Sequence, residues 1–209
     1  MAESTIQPAQ RPKPNRWTSF RIDFELSLSE DEGDPCGFIL VYDGSIIETN
    51  DDDVEQKIGK LSIYVVQCGR VLNEGASLFE VMDCLDGDSY DCFANLFDHE
   101  TEQLKPQVER LLSEERTFEA DLMLIDQVEL NPDYRGQGLG KEIILRVIRR
   151  LGTNCRVITC MPFPLQYTNP PLKGKQPAGK RSAQRRVREF WEGVGFVRLP
   201  RSEYYLWPD

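Results

Sequence analysis

Ala120-Asp-Leu-Met-Leu-Ile-Asp-Gln-Val-Glu-Leu130, then Asn131-Pro-Asp-Tyr-Arg-Gly-Gln-Gly-Leu-Gly-Lys141, then Glu142-Ile-Ile-Leu-Arg-Val-Ile-Arg-Arg-Leu151 is the stretch on which the chain turns. It begins as an apolar run of strand length. Three glycines follow at alternate positions, Gly136, Gly138 and Gly140. Leu139, Ile143, Ile144, Val147, Ile148 and Leu151 then recur at helical spacing, with Arg146, Arg149 and Arg150 on the polar side near the C-terminal end, where cations are favoured. The order predicted is strand, glycine loop, helix.

The first turn of a helix carries unpaired N–H groups and partial positive charge, and glycines let an anion approach that backbone. The expected ligand is a phosphate or diphosphate. The spacing narrows the choice. A P-loop needs Gly-Lys-Ser/Thr, whereas Glu142 follows Gly140-Lys141, and Arg135 stands where the first loop glycine should be. A dinucleotide loop needs G-x-G-x-x-G after the first strand of a parallel sheet, and this loop is G-x-G-x-G late in the chain.

The pattern Arg135-x-x-Gly138-x-Gly140 resembles the acetyl-CoA loop of the GNAT superfamily of N-acetyltransferases. Near the end, Phe190-Trp191-Glu192-Gly193-Val194-Gly195-Phe196 is similar to that family's closing helix, Gly-Phe and strand. The two motifs span residues 117–209. The resemblance implies a mixed α/β fold, a mostly antiparallel twisted sheet of about seven strands flanked by helices, with two strands splayed at the acetyl-CoA site. It implies acetyl transfer from acetyl-CoA, as co-substrate, to a primary amine. The family's loop amides hold the diphosphate and its splayed strand pairs with pantetheine. Carried over, this assigns cofactor binding to Val128, Leu130, Arg135, Gly136, Gln137, Gly138, Leu139, Gly140 and Lys141.

For catalysis, Asp126 is the first candidate for the base. Leu122, Leu124, Asp126, Val128 and Leu130 alternate onto one predicted strand face, and a carboxylate amid apolar side chains must be paired or wet. Burial would raise its pKa, which suits a base; the competing reading is a structural, hydrogen-bonded Asp. Glu129, toward the strand end, is the second candidate. Many members of the family place a tyrosine acid where this chain has Trp191, and indole donates no useful proton. Tyr167 is the substitute acid put forward, with Tyr204 and Tyr205 behind it. The missing tyrosine also motivates an alternative: a catalytically silent, acyl-CoA-binding regulatory or scaffold module.

Upstream, residues 1–16 hold three prolines and few large apolar groups and read as a flexible tail, leaving 17–209 as a single domain. Strands are expected at Trp17–Leu28, at Gly37–Ile47 with a break at Asp43-Gly44, and at Lys60–Leu72. Helices are expected from Ser77 to Leu85 with Ser77 and Glu80 as a capping box, at Tyr90–Phe97, and across Thr101–Leu112, starting late or bending at Pro106. Three strands before the helices depart from the family's usual one strand followed by two helices. Downstream, Arg156–Met161 reads as a strand, 162–182 as a long loop, Ser182–Gly193 as a helix, and Gly195–Val197 and Tyr204–Trp207 as strands.

Charge is divided unevenly. Residues 1–130 carry 29 acidic and 10 basic side chains, and 131–209 carry 6 and 15. The basic part holds the glycine loop and suits an anionic cofactor, while the acidic part suits a cationic acceptor. The basic run from Lys173 to Arg188 comes with no nucleic-acid motif, so nucleic acid is not expected as a partner. A homodimer is left open. The six cysteines form no C-x-x-C pair and the single histidine, His99, belongs to no cysteine or histidine cluster, so reduced thiols and no metal are expected. With no apolar run of membrane length and no apolar signal core, the expected location is the cytoplasm, with no membrane partner.

Overall fold

The computed structural model describes residues 19–28, 33–50, 52–84, 87–112, 120–165 and 179–208. The proposed tail lies outside the described residues. Seven strands form one sheet: β1 (Ser19–Ser27), β2 (Ile39–Thr49), β3 (Glu55–Val66), β4 (Asp121–Leu130), β5 (Cys155–Cys160), β6 (Val197–Arg198) and β7 (Tyr205–Leu206). Their order is β1-β2-β3-β4-β5-β7-β6, antiparallel throughout except for the β4–β5 pair. The fold is the mixed α/β, mostly antiparallel seven-stranded architecture expected, flanked by helices on both faces.

Alternation along the strands separates two cores. Ile63, Val65, Met123, Ile125 and Ile158 pack under α5 (Leu139–Leu151) and α6 (Lys180–Val194). Val66, Leu122, Leu124 and Val157 face the other way. They meet α1 (Cys68–Glu74), α2 (Leu78–Asp83), α3 (Gly87–Leu96) and α4 (Pro106–Glu109). In α5 the periodic Ile143, Ile144, Val147 and Ile148 are all buried. The three-strand meander before the helices is real: α1–α4 are inserted between β3 and β4.

Several local expectations are corrected. The third strand stops at Val66, and Cys68–Glu74 is helical, closed by Gly75 in the left-handed region (φ 69°). A glycine placed to end a helix was the available signal. Asp43-Gly44 does not break β2. Gly44 sits in register between Phe24 and Leu61, where an added Cβ would lie 2.7 Å from Leu61 Cδ2. Ser77 does cap α2, accepting from Glu80 N–H at 3.2 Å, but Glu80 is not the reciprocal partner. The Glu102 carboxylate instead accepts from Ser77 Oγ, Leu78 N–H and Phe79 N–H, at 2.7, 2.8 and 3.2 Å. Of the two outcomes expected at Pro106 within Thr101–Leu112, the late start is the one seen: the helix begins at Pro106, which occupies its first turn, and ends at Glu109. Cys36 and Cys84, expected as free thiols, are joined in a disulfide, while Cys68, Cys92, Cys155 and Cys160 are free.

Candidate functional site

β4 and β5 begin as parallel neighbours and then part. Their pairing runs from Asp121↔Cys155 to Ile125↔Cys160 and stops, although β4 continues to Leu130. Asp126–Leu130 thus keep an edge toward β5 with no strand on it among the described residues. Two local causes are visible. β4 carries a bulge, because Ser62 faces Gln127 while the next residue, Ile63, faces Ile125, and Asp126 is the extra residue. A bulge bends and twists its strand. Beyond Cys160 the chain reaches Pro162, which has no N–H to give a ladder. β5 is held on its far side instead, where Thr159 and Cys160 pair with β7 and Thr159 Oγ1 donates to Tyr205 O at 2.9 Å.

The opening is a cavity of about 1040 Å³ lined by Leu124 through Leu130 of β4, Lys60, Arg135, the segment after β5 and one side of α6. Gln184 Nε2 donates to Pro162 O at 2.5 Å, and the Lys180 ammonium lies 5.2 Å from the Phe163 ring. These contacts tie the wall after β5 to α6. Phe163, Pro164, Leu165, Val187 and Phe190 were not singled out from sequence as lining residues. The prolines after β5 were the one hint.

The bulge also overturns the single-face reading of β4. Leu122 and Leu124 belong to the core beneath α1–α4, whereas Val128 and Leu130 pack on the opposite core, beneath α5 and α6. One inserted residue reverses the alternation. Asp126 is half-buried at this reversal and lines the cavity. Glu129 also lines it and sits 3.6 Å from Lys60 Nζ, both groups well exposed. Tyr167 lies outside the described residues. Trp191 is buried in the wall with its ring edge-on to Phe190 and Phe196, so no hydroxyl exists there. Tyr204, buried, lines the cavity. Tyr205 does not; its hydroxyl donates to Glu192 Oε1 at 3.2 Å, and burial together with that carboxylate raises its pKa. Cys160, buried at the fork, has its thiol pushed well above the usual range by desolvation.

At the C-terminal end of β4 lies the glycine loop. Gly136 (φ 74°) and Gly138 (φ 85°) are left-handed, and Gly138 is the residue before α5, with no side chain capping the helix. Gly140 has a different reason: an added Cβ would lie 3.2 Å from Phe190 Cζ. Arg135 Nε donates back to Leu130 O at 2.7 Å and Gln137 Nε2 to Asp133 O at 2.7 Å, which braces the turn from within. Lys141 Nζ donates to Gly193 O at 2.6 Å, fastening α5 to the end of α6. Among the described residues, none of the six N–H groups from Gly136 to Lys141 has an acceptor; the first to find one is Glu142, on Gly138 O at 3.2 Å. The side chains of Arg135, Gln137 and Lys141 are thus occupied in shaping the loop, and its main chain is what remains to bind.

Among the described residues no cluster of three or more His, Cys, Asp or Glu side chains could hold a metal, and no helix is long and apolar enough to cross a membrane. No family model matches the chain, and no curated protein matches it. A solved structure titled "The crystal structure of KacTA-DNA complex" aligns over 91% of this chain and 93% of that one, at 10% identity and a TM-score of 0.44. That likeness is too loose to carry function across.

Proposed function

We propose that this chain is an acyltransferase that passes the acetyl group of acetyl-CoA to an amine. The observation carrying the proposal is the run of six acceptorless amides from Gly136 to Lys141, set at the head of a 13-residue helix beside a sheet that opens at that level. Acceptorless amides at the positive end of a helix suit a diphosphate. The part of β4 beyond Ile125, with no strand on its β5 side among the described residues, suits the amide-bearing pantetheine arm, with Val128 and Leu130 backbone groups as its partners, although Leu130 O already accepts from Arg135 Nε.

Acetyl-CoA would supply an activated thioester carbonyl. The chain must remove a proton from the attacking amine and offer a donor to the carbonyl oxygen. Asp126 is our assignment for the base, because it lines the cavity at the bulge that starts the opening. A β4 amide, Val128 first, is our assignment for the oxyanion donor. Tyr204 is the phenol in the cavity wall, and solvent is the other source for the thiolate's proton.

Calorimetry with coenzyme A tests binding, and thiol release across an amine panel tests turnover. Asp126→Asn is expected to lower kcat by about 10²–10⁴-fold and to remove the acidic limb of the rate profile while leaving the coenzyme A affinity within about threefold. Absence of coenzyme A binding at millimolar concentration sinks the proposal. Tight binding without thiol release favours the silent acyl-CoA-binding module, a reading that Trp191 in the wall also supports.

A further inference from the structure

The sheet ends in two edges that differ in kind. β6 is two residues long and offers almost nothing to another strand. β1 runs nine residues in unbroken register with β2, with no proline, lysine or bulge. Its outer row of N–H and C=O groups has no strand against it among the described residues. Folded proteins blunt such an edge with lysine, proline, a bulge or an inward-pointing charge, or else they pair it. Phe20, Ile22, Phe24 and Leu26 share one face of β1, and Phe24 (37%) and Leu26 (45%) are exposed although large and apolar. Arg21, Asp23 and Glu25 share the other.

We infer that β1 pairs with β1 of a second copy of this chain, antiparallel, about a two-fold axis through Ile22. In that register Ile22 faces Ile22, Phe20 faces Phe24, and Arg21 faces Asp23 on both sides of the axis. Within its own strand Arg21 Nε already meets Asp23 Oδ1 at 3.0 Å. Its other two guanidinium nitrogens donate to the Glu55 carboxylate of β3, so pairing closes a ring of two guanidiniums and two Asp23 carboxylates of alternating sign, flanked by the two Glu55 carboxylates. The neighbouring registers are weaker. An axis through Asp23 keeps two attractive pairs, Arg21 with Glu25, but sets Asp23 against itself between them; one through Phe24 sets Asp23 against Glu25, and one through Arg21 sets two guanidiniums together; like charges directly opposite destabilise a pair. A slip of one residue sets the apolar face against the charged one. The second copy is thus selected by charge complementarity as well as by shape. The glycine loop and cavity lie at β4 and β5, so the dimer leaves both open and does not depend on the acyl-transfer reading.

Sedimentation velocity on the full chain, from low micromolar to sub-millimolar, is the test. Wild type is expected to dimerise with concentration. Arg21→Asp or Asp23→Arg alone is expected to weaken association about tenfold or more, because both cross-strand pairs turn repulsive. An equimolar mixture of the two single variants should associate again, since each supplies the sign the other lacks. The double variant Arg21→Asp/Asp23→Arg restores the cross-strand signs but sets an aspartate at position 21 beside Glu55, so it should self-associate more tightly than either single variant. A wild type that stays monomeric throughout overturns the inference. So do single variants that dimerise as tightly as wild type, or a mixture and a double variant that both remain monomeric.

Discussion

The diphosphate reading can be tested one atom at a time. Replacing the Leu139 residue by its α-hydroxy acid turns a single backbone N–H into an ester oxygen and keeps the side chain, which packs on the core beneath α5. That N–H has no acceptor among the described residues, so the fold loses no donated hydrogen bond with it, while the Gly138 carbonyl, an ester's in the variant, becomes a weaker acceptor for Glu142 N–H. A bound phosphate would lose a donor to a charged group, about 1.5–3 kcal/mol, which weakens coenzyme A by about 10- to 140-fold. Pantetheine, which lacks the diphosphate, should bind as before. The assay is calorimetry with both ligands on the ester variant and on two more, at Gly138 and Gly140. An ester at Glu142 is the control, because its N–H is already used on Gly138 O. It should cost about 0.5–1.5 kcal/mol of stability and leave the ratio of the two affinities alone. If all three loop esters keep the wild-type ratio, the main chain is not the diphosphate site and the acyl-CoA proposal loses its basis.

Two further outcomes test the frame around the site. In Gly59→Ala the new Cβ would lie 2.4 Å from Glu129 O, so β4 would have to retreat by about 1 Å to reach contact distance. Urea unfolding should show a loss of about 1–3 kcal/mol, against a smaller loss for Gly44→Ala, where the obstacle is the movable end of Leu61; equal losses refute the close approach. Burial acts to raise the Glu102 carboxyl, but the bonds from Ser77, Leu78 and Phe79 outweigh it and hold the group below its usual value. A carboxyl lowered in the folded state adds stability above its unfolded value, near pH 4.5, and that stability is lost as pH falls through the folded value. Glu102→Gln should therefore cost about 0.5–2 kcal/mol at pH 7 in thermal unfolding, with the gap from wild type closing in acid; a gap constant with pH refutes the assignment.

Much of the site was legible because its signals are local. Gly136 and Gly138 need left-handed backbone, the apolar period of Ile143, Ile144, Val147 and Ile148 needs a buried helix face, and both demands are written within a few residues. The N-terminal half was read less well where a tertiary partner overrode a local rule. Glu102, 25 residues beyond Ser77, took the capping role that spacing had given to Glu80, because a charged acceptor brought in by the fold outbids a neighbour on the same turn. Gly44 stayed inside its strand because Leu61 left no room for a side chain.

By itself the sequence determined the strand–loop–helix unit, the residue types that bare its amides, and the order of elements from β4 to the end. Only the tertiary structure decided that β4 bulges at Asp126, that β5 is held by β7 while β4 runs on past it, and that Val128 and Leu130 therefore share a face with Met123 and Ile125 rather than with Leu124. The physical reason is one of range. Backbone conformation and amphipathic period are properties of adjacent residues. The register of a strand, and the place where two strands stop pairing, are settled by neighbours far away in the chain.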